Sequence, residues 1–386
     1  MLRASVARFW DGLKQKTLSF LGEEVGPLTP TLEKLIRIWE ILRIEEKIQY
    51  VPAWVGRPLK DRRAVARAFV AKSFLNLPST VALVDRLKVD SALRRLCGFE
   101  RLGNIPSEST FSRAFAEFAK TELGQRAHEE LVKEMYGSEI VGHVSRDATA
   151  IEAREKPLKR EPKTVKELAP RKKRGRPRKG EEKLAQLPPE PSRLEKQSQP
   201  GASLKDMLSE LPKACAIGCK KNSQGFVESW QGYKLHLDVS DIGMPLSAIL
   251  TSASLHDSQA AIPLLRMTAD RTGAVLYEVM DSAYDSPLIE SAIRGLQRVP
   301  IIDINPRRDV EKQEQKRQRA LLKTLGLPLA EDVRFNERTT VERVNARLKD
   351  EFGARNLRVR GHAKAMCHLM FGVCVLAADA VLRLTV

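Results

Sequence analysis

Apolar residues recur at helical spacing through the first third of the chain. The segment TLEKLIRIWEILRIEEKI (residues 31–48) is the clearest early amphipathic helix, and residues 61–99 form a denser block in which apolar clusters alternate with two short punctuations, NLPST and KVDS. Each punctuation offers a Ser or Asp as the N-cap of the helix that follows. After the turn GNIPSEST, residues 111–136 read as one long helix with Ser112 and Arg113 in its first turn. Short helices, short turns and basic residues near them suit either a helix-turn-helix module or a plain helical bundle.

The period changes at Ser138. EIVGHVSRD reads as a strand ending on Asp147, GYKLHLDVS and PLSAILTSA as a hairpin around Asp241-Ile242-Gly243-Met244, AVLYEVMD as a strand closing on Asp281, and VPIIDIN as a further strand. Helices lie between them: SLHDSQAAIPLLRMTADR, capped by Asp257 or Ser258, and SAYDSPLIESAIRGL, with Ser286 as N-cap and Pro287 at the first position. A charged stretch, a helix over residues 335–349 and an apolar closing helix, CHLMFGVCVLAADAVLRL, complete the chain. The order predicts an α/β fold with a mixed sheet behind an all-α N-terminal part. The expected division is a helical domain over 1–137 and an α/β domain over 138–386, interrupted by an insertion at 154–210.

Composition sharpens that insertion. Residues 154–180 hold 13 Lys or Arg against 3 acids, with four prolines and scarcely any large apolar residue, so they lack the means to build a core and are expected to be disordered. At its centre, Arg174-Gly175-Arg176-Pro177 resembles the core of an AT-hook, whose arginines enter the narrow minor groove of A·T-rich DNA. The Pro-, Ser- and Gln-rich stretch to residue 210 continues the linker. The whole chain of 386 residues carries a formal charge of +17, which points to a polyanion, double-stranded DNA first. No run of about 18 uninterrupted apolar residues suggests a membrane span. Five scattered cysteines fit reduced thiols in a cytosolic compartment, and of these only Cys215 and Cys219 approach metal-ligand spacing.

Three carboxylates stand apart. Asp147 and Asp281 close predicted strands, where open α/β sheets present functional groups. Glu342 shares a polar helix face with Arg338, Asn345 and Lys349, at offsets 0, 4, 7 and 11 from Arg338. Phosphoryl transfer on DNA uses hard divalent cations held by a few such carboxylates from different elements. Arg338 and Lys349 would hold phosphates, one as a fork and the other as a point charge.

Phe335, Arg338, Glu342 and Lys349 meet the spacing Y-x2-R-x3-E-x6-K, with Phe in place of Tyr. Together with SRDATAIEA around Asp147, MDSAYDS around Asp281, and IPSESTFSRAF in the helical block, this pattern resembles the bacterial insertion-sequence transposases of the DDE class. The resemblance runs from about residue 60 onward. It implies an RNase H-like core with a mixed five-stranded sheet, a triad of Asp147, Asp281 and Glu342, and Mg²⁺ (or Mn²⁺) as cofactor. It also implies DNA contacts by Phe335, Arg338, Asn345 and Lys349, element terminal repeats and target DNA as partners, and a homodimer on DNA. The separation of Asp281 and Glu342 leaves no room for the large β-rich insertion of some relatives. A catalytically inactive or repurposed transposase that only binds DNA is the alternative.

Overall fold

The computed structural model describes residues 28–48, 60–158, 190–221 and 224–384. The AT-hook-like Arg174, Gly175, Arg176 and Pro177 lie outside them. Among the described residues six α-helices come first: α1 (Pro30–Leu42), α2 (Arg62–Phe74), α3 (Thr80–Val89), α4 (Ser91–Cys97), α5 (Glu108–Lys120) and α6 (Leu123–Tyr136). Ser79 and Asp90 cap α3 and α4 as the two punctuations predict, each accepting a backbone N–H from the first turn. The single helix expected over 111–136 is two, because Glu122 adopts a left-handed conformation (φ 52°) that breaks the hydrogen-bond ladder.

A six-stranded mixed sheet follows: β1 (Val141–Glu152), β2 (Ala216–Lys221), β3 (Val227–Ser240), β4 (Pro245–Ser252), β5 (Val275–Met280) and β6 (Val299–Ile302). The path runs β2-β3-β1-β5-β6, with β4 paired to β3 through the expected turn. β1 is antiparallel to β3 and parallel to β5, and β5 is parallel to β6. Two differences from the sequence reading matter. β2 adds a sixth strand to the expected five, and β1 continues past Asp147 because residues 148–152 go on pairing with β3.

The end of the expected linker, residues 190–210, is folded. Here α7 (Arg193–Gln197) has a reciprocal capping box between Ser192 and Glu195, and Ser203 caps α8 (Leu204–Glu210). Met207 is buried, with Leu194 and Ala202, against α9 (Ala261–Ala269) and α10 (Pro287–Gly295). Its apolar residues are few but fall on the inward side, which the polar composition obscures. The cap of the turn preceding α9 is His256, whose Nδ1 accepts from Ser258 N, instead of Asp257 or Ser258.

After β6 come α11 (Val310–Thr324), α12 (Ala330–Phe335), α13 (Thr339–Asp350) and α14 (His362–Leu382). The helix expected over 335–349 is interrupted by a 3₁₀ turn at Asn336–Arg338, so Phe335 ends one helix while Glu342, Asn345 and Lys349 belong to the next. α14 is apolar all round, long and apolar enough by composition to cross a membrane, and is wholly enclosed by protein. It packs on α1, α2, α5 and α6 on one side and on β4 and α13 on the other. Phe371 of α14 meets Phe69 at 5.6 Å and Phe115 at 6.2 Å between ring centroids. One continuous core therefore joins the helical layer to the sheet.

Candidate functional site

The last parallel pair between β1 and β5 is Arg146 with Met280. Immediately beyond that pair come two acids, Asp147 on β1 and Asp281 just past the end of β5, close enough for the charge of Asp281 to act on Asp147. Asp147 is not at the end of its own strand. It sits where β5 stops and β1 continues with β3 alone, a fork that opens space beside it.

Beneath the fork lies a fully buried charge cluster. Arg146 donates from Nε and Nη2 to Asp238, each at 2.7 Å, and from Nη2 to Glu278 at 3.1 Å, while Arg298 donates to Glu278 at 2.6 Å. Two guanidinium groups balance two carboxylates, and Thr268 donates to Asp238 at 2.6 Å. Such a cluster is costly to desolvate and intolerant of other registers, so it locks β1, β3 and β5 under the acids.

α13 crosses above. Val341, Val344 and Leu348 bury its apolar face, turning Glu342 and Asn345 toward the fork. Asn345 is itself buried, and its Nδ2 donates to Asp147 Oδ2 at 3.1 Å. It is thus placed to orient that acid from the wall of the groove. Its Oδ1 is buried without a partner among the described residues. Arg338 lies 3.8 Å from Asp147 Oδ1 and is ion-paired with Glu342, which is half exposed. Phe335 is half-buried with its ring 5.9 Å from the Arg338 guanidinium. Ser145 Oγ donates to Glu337 O at 3.2 Å, tying the 3₁₀ turn to β1.

Burial raises the pKa of Asp147 to about 6, with Arg338 opposing the shift and Asp281 adding to it. Burial raises Asp281 as well, against the hydrogen bond from Ala283 N and the charge of Arg338. The Lys349 amine is pushed down, first by burial and then by Lys220 and Arg355, so three cations crowd one rim. A groove of about 560 Å³ runs along this face, lined by Asp147, Lys234, Asp257, Glu342, Asn345 and Lys349. The sequence reading missed Asp257, which pairs with Lys234 at 2.8 Å. The only sequence signal for it is its place just after β4.

Among the described residues no three His, Cys, Asp or Glu side chains converge as a metal site. Asp147 and Asp281 feel each other's charge, while Glu342 is held aside by Arg338. The donor chemistry nevertheless fits a hard divalent cation: two adjacent carboxylates of raised pKa beside an unpartnered amide oxygen. Two further acids that follow Asp281 in the chain are engaged elsewhere, Asp285 with Lys312 and Asp303 with Lys316. His236 is buried against Thr251, and Cys215 is buried while Cys219 is exposed, both as free thiols.

Comparison with protein families gives two matches. The transposase DDE domain matches residues 210–377, which include Asp281 and Glu342, and a transposase domain (DUF772) matches residues 26–117 of the helical layer. Asp147 and the basic stretch fall between them. No curated protein and no solved structure matches the chain. Two transposase families matched in sequence order on one chain, the second of them a DDE domain, agree with paired acids beside a basic helix: the chain belongs to the DDE transposases of insertion sequences.

Proposed function

We propose that the protein cuts DNA at the ends of an insertion sequence and joins the freed 3′-ends to target DNA, using Asp147, Asp281 and Glu342 as its acidic triad. The observation that carries this reading is that Asp147 and Asp281 each follow directly on the last paired residues of β1 and β5, with Glu342 on the helix packed above. The strand path β4-β3-β1-β5-β6, with β2 as an addition, supports an RNase H-like core.

Those three acids would hold Mg²⁺ or Mn²⁺, which when bound lowers the pKa of an attacking water or hydroxyl and stabilises the leaving oxygen. Glu342 joins the pair only when its ion pair with Arg338 opens. Arg338 is then free to hold a phosphate as a bidentate fork, and the phosphate replaces the carboxylate it gives up. Lys349, half-buried beside Lys220 and Arg355, supplies a point charge to the backbone. Asn345 keeps Asp147 in one rotamer, and Phe335 offers a ring to a base or sugar. Residues 1–137 and the AT-hook-like Arg174, Gly175, Arg176 and Pro177 add DNA affinity, and pairing two ends calls for a dimer on DNA.

The test is a strand-transfer assay with Mg²⁺ on linear duplexes carrying the repeats that flank the reading frame. The parent chain produces new 3′-ends and joined products, whereas Asp281→Asn and Glu342→Gln produce neither while still shifting the duplex in a gel. A parent chain that shifts DNA without cutting it supports the binding-only alternative.

A further inference from the structure

A second cavity, of about 540 Å³, lies away from the acids, between the helical layer and the segment that follows α13. Its lining includes Lys72 of α2, Arg154 just beyond β1, and Arg358. Lys72 is only 7% exposed, and among the described residues no hydrogen bond or ion pair holds its amine. The charge that acts on it is another cation, Arg358, which together with burial pushes Lys72 down to about 8. Buried ammonium groups are almost always paired, since an uncompensated one is costly. His368 at the cavity wall stays neutral and its Nε2 donates to Gly353 O, 3.0 Å away. Among the described residues the one carboxylate in the lining is Glu108, exposed at the start of α5. Ser79, Thr80 and Ser112 line the cavity too, so hydroxyls accompany the cations.

We propose that this cavity binds one phosphodiester group of the DNA, with Lys72 as its buried anchor and Arg358 and Arg154 at its mouth. The two sites are joined by short pieces of chain. Arg355 lines the acid groove and Arg358 the cavity, three residues on; Asp147 lines the groove and Arg154 the cavity, seven residues on. Seven residues span at most about 25 Å, or about seven base-pair rises of 3.4 Å. A strand engaged by the acids therefore reaches the cavity within about two-thirds of a helical turn. This second contact fixes the direction of the DNA across the groove, which a single basic rim cannot do. The inference rests on the DNA reading above but not on the cutting chemistry.

The experiment uses the full chain with Lys72→Met, which keeps the length of the side chain and removes its charge, and Arg358→Gln, which changes an exposed residue. Duplex affinity is measured from 50 to 200 mM salt, and thermal midpoints are measured with and without inorganic phosphate. Lys72→Met should unfold at a higher temperature than the parent chain in the absence of ligand. It should also bind DNA more weakly, with a log K against log salt slope smaller by about 0.9, and lose any protection by phosphate. Arg358→Gln should reduce the slope without the gain in midpoint. Unchanged affinity and slope in both variants overturn the proposal, including the case where phosphate alone still protects, which would make the cavity a free-anion site. A lower midpoint in Lys72→Met with an unchanged slope overturns it too, because Lys72 is then structural. If Lys72→Met loses slope while the parent chain cuts no DNA, the cavity assignment stands and the transposition chemistry falls.

Discussion

Replacing Asp147 by Asn removes a charge that the folded chain holds at a cost, while leaving the shape of the side chain nearly intact. Its pKa rises from 3.8, the ordinary value for an aspartate, to about 6, which makes the ionised form about 3 kcal/mol less favourable in the folded chain than in the unfolded one. The side chain is 22% exposed and loses a 3.8 Å ion pair with Arg338 on substitution, so the expected net gain at neutral pH is about 2 kcal/mol. Between pH 4 and 6 the folded chain keeps a proton on Asp147 that the unfolded chain has released. The stability of the parent chain therefore falls across that window, and the penalty is complete above pH 6. Asn does not titrate there. In EDTA, the midpoint of Asp147→Asn should match that of the parent chain near pH 4.5 and exceed it by about 2–3 °C at pH 7, given the unfolding entropy of a chain this long. Millimolar Mg²⁺ should raise the parent midpoint and leave that of the variant, and the variant should cut no DNA. A variant no more stable than the parent at pH 7, or one whose advantage is already full at pH 4.5, refutes the argument.

Asp379, buried on α14, accepts ion pairs from Lys34 at 2.6 Å and Arg347 at 2.8 Å, with Arg383 at 3.4 Å. Burial works to raise its pKa, but those hydrogen bonds outweigh burial and lower it. Its contribution is thus present above about pH 4 and lost as the pH falls further, and Asp379→Ala should cost about 3 kcal/mol in urea unfolding at pH 7. An Ala at Gly372 would put its Cβ 2.7 Å from Phe352 O, so Gly372→Ala should cost about 1–3 kcal/mol in the same assay. Deletion of residues 171–179 should weaken binding to A·T-rich duplexes and flatten its salt slope, as read in a fluorescence anisotropy titration.

The caps at Ser79 and Asp90, the hairpin around Asp241 to Met244 and the strand leading to Asp281 were legible because each depends on neighbours in sequence. What escaped depends on partners far away. Asp147 looks like a strand end because β5 stops beside it, yet β3 carries β1 five residues further. β2, with Lys220 and Lys221 on a short strand, carries little apolar alternation. Asn345 reads as part of a polar face, and only the packing of α13 on the sheet shows that it is enclosed against Asp147. The Arg146 cluster is invisible in sequence, since its charges look like surface charges until three strands bring them together.

α14 sits at the centre of the helical layer, yet roughly 230 residues separate it from the end of α6. At about 5–20 residues per second, the ribosome takes on the order of 10–50 s to deliver it. Throughout that interval α1, α2, α5 and α6 are in the cell without the helix that fills their shared core, their apolar faces open to chaperones and proteases. A chain stopped before α14 leaves behind a helical layer with its core open, so premature termination yields a substrate for degradation and not a finished N-terminal piece.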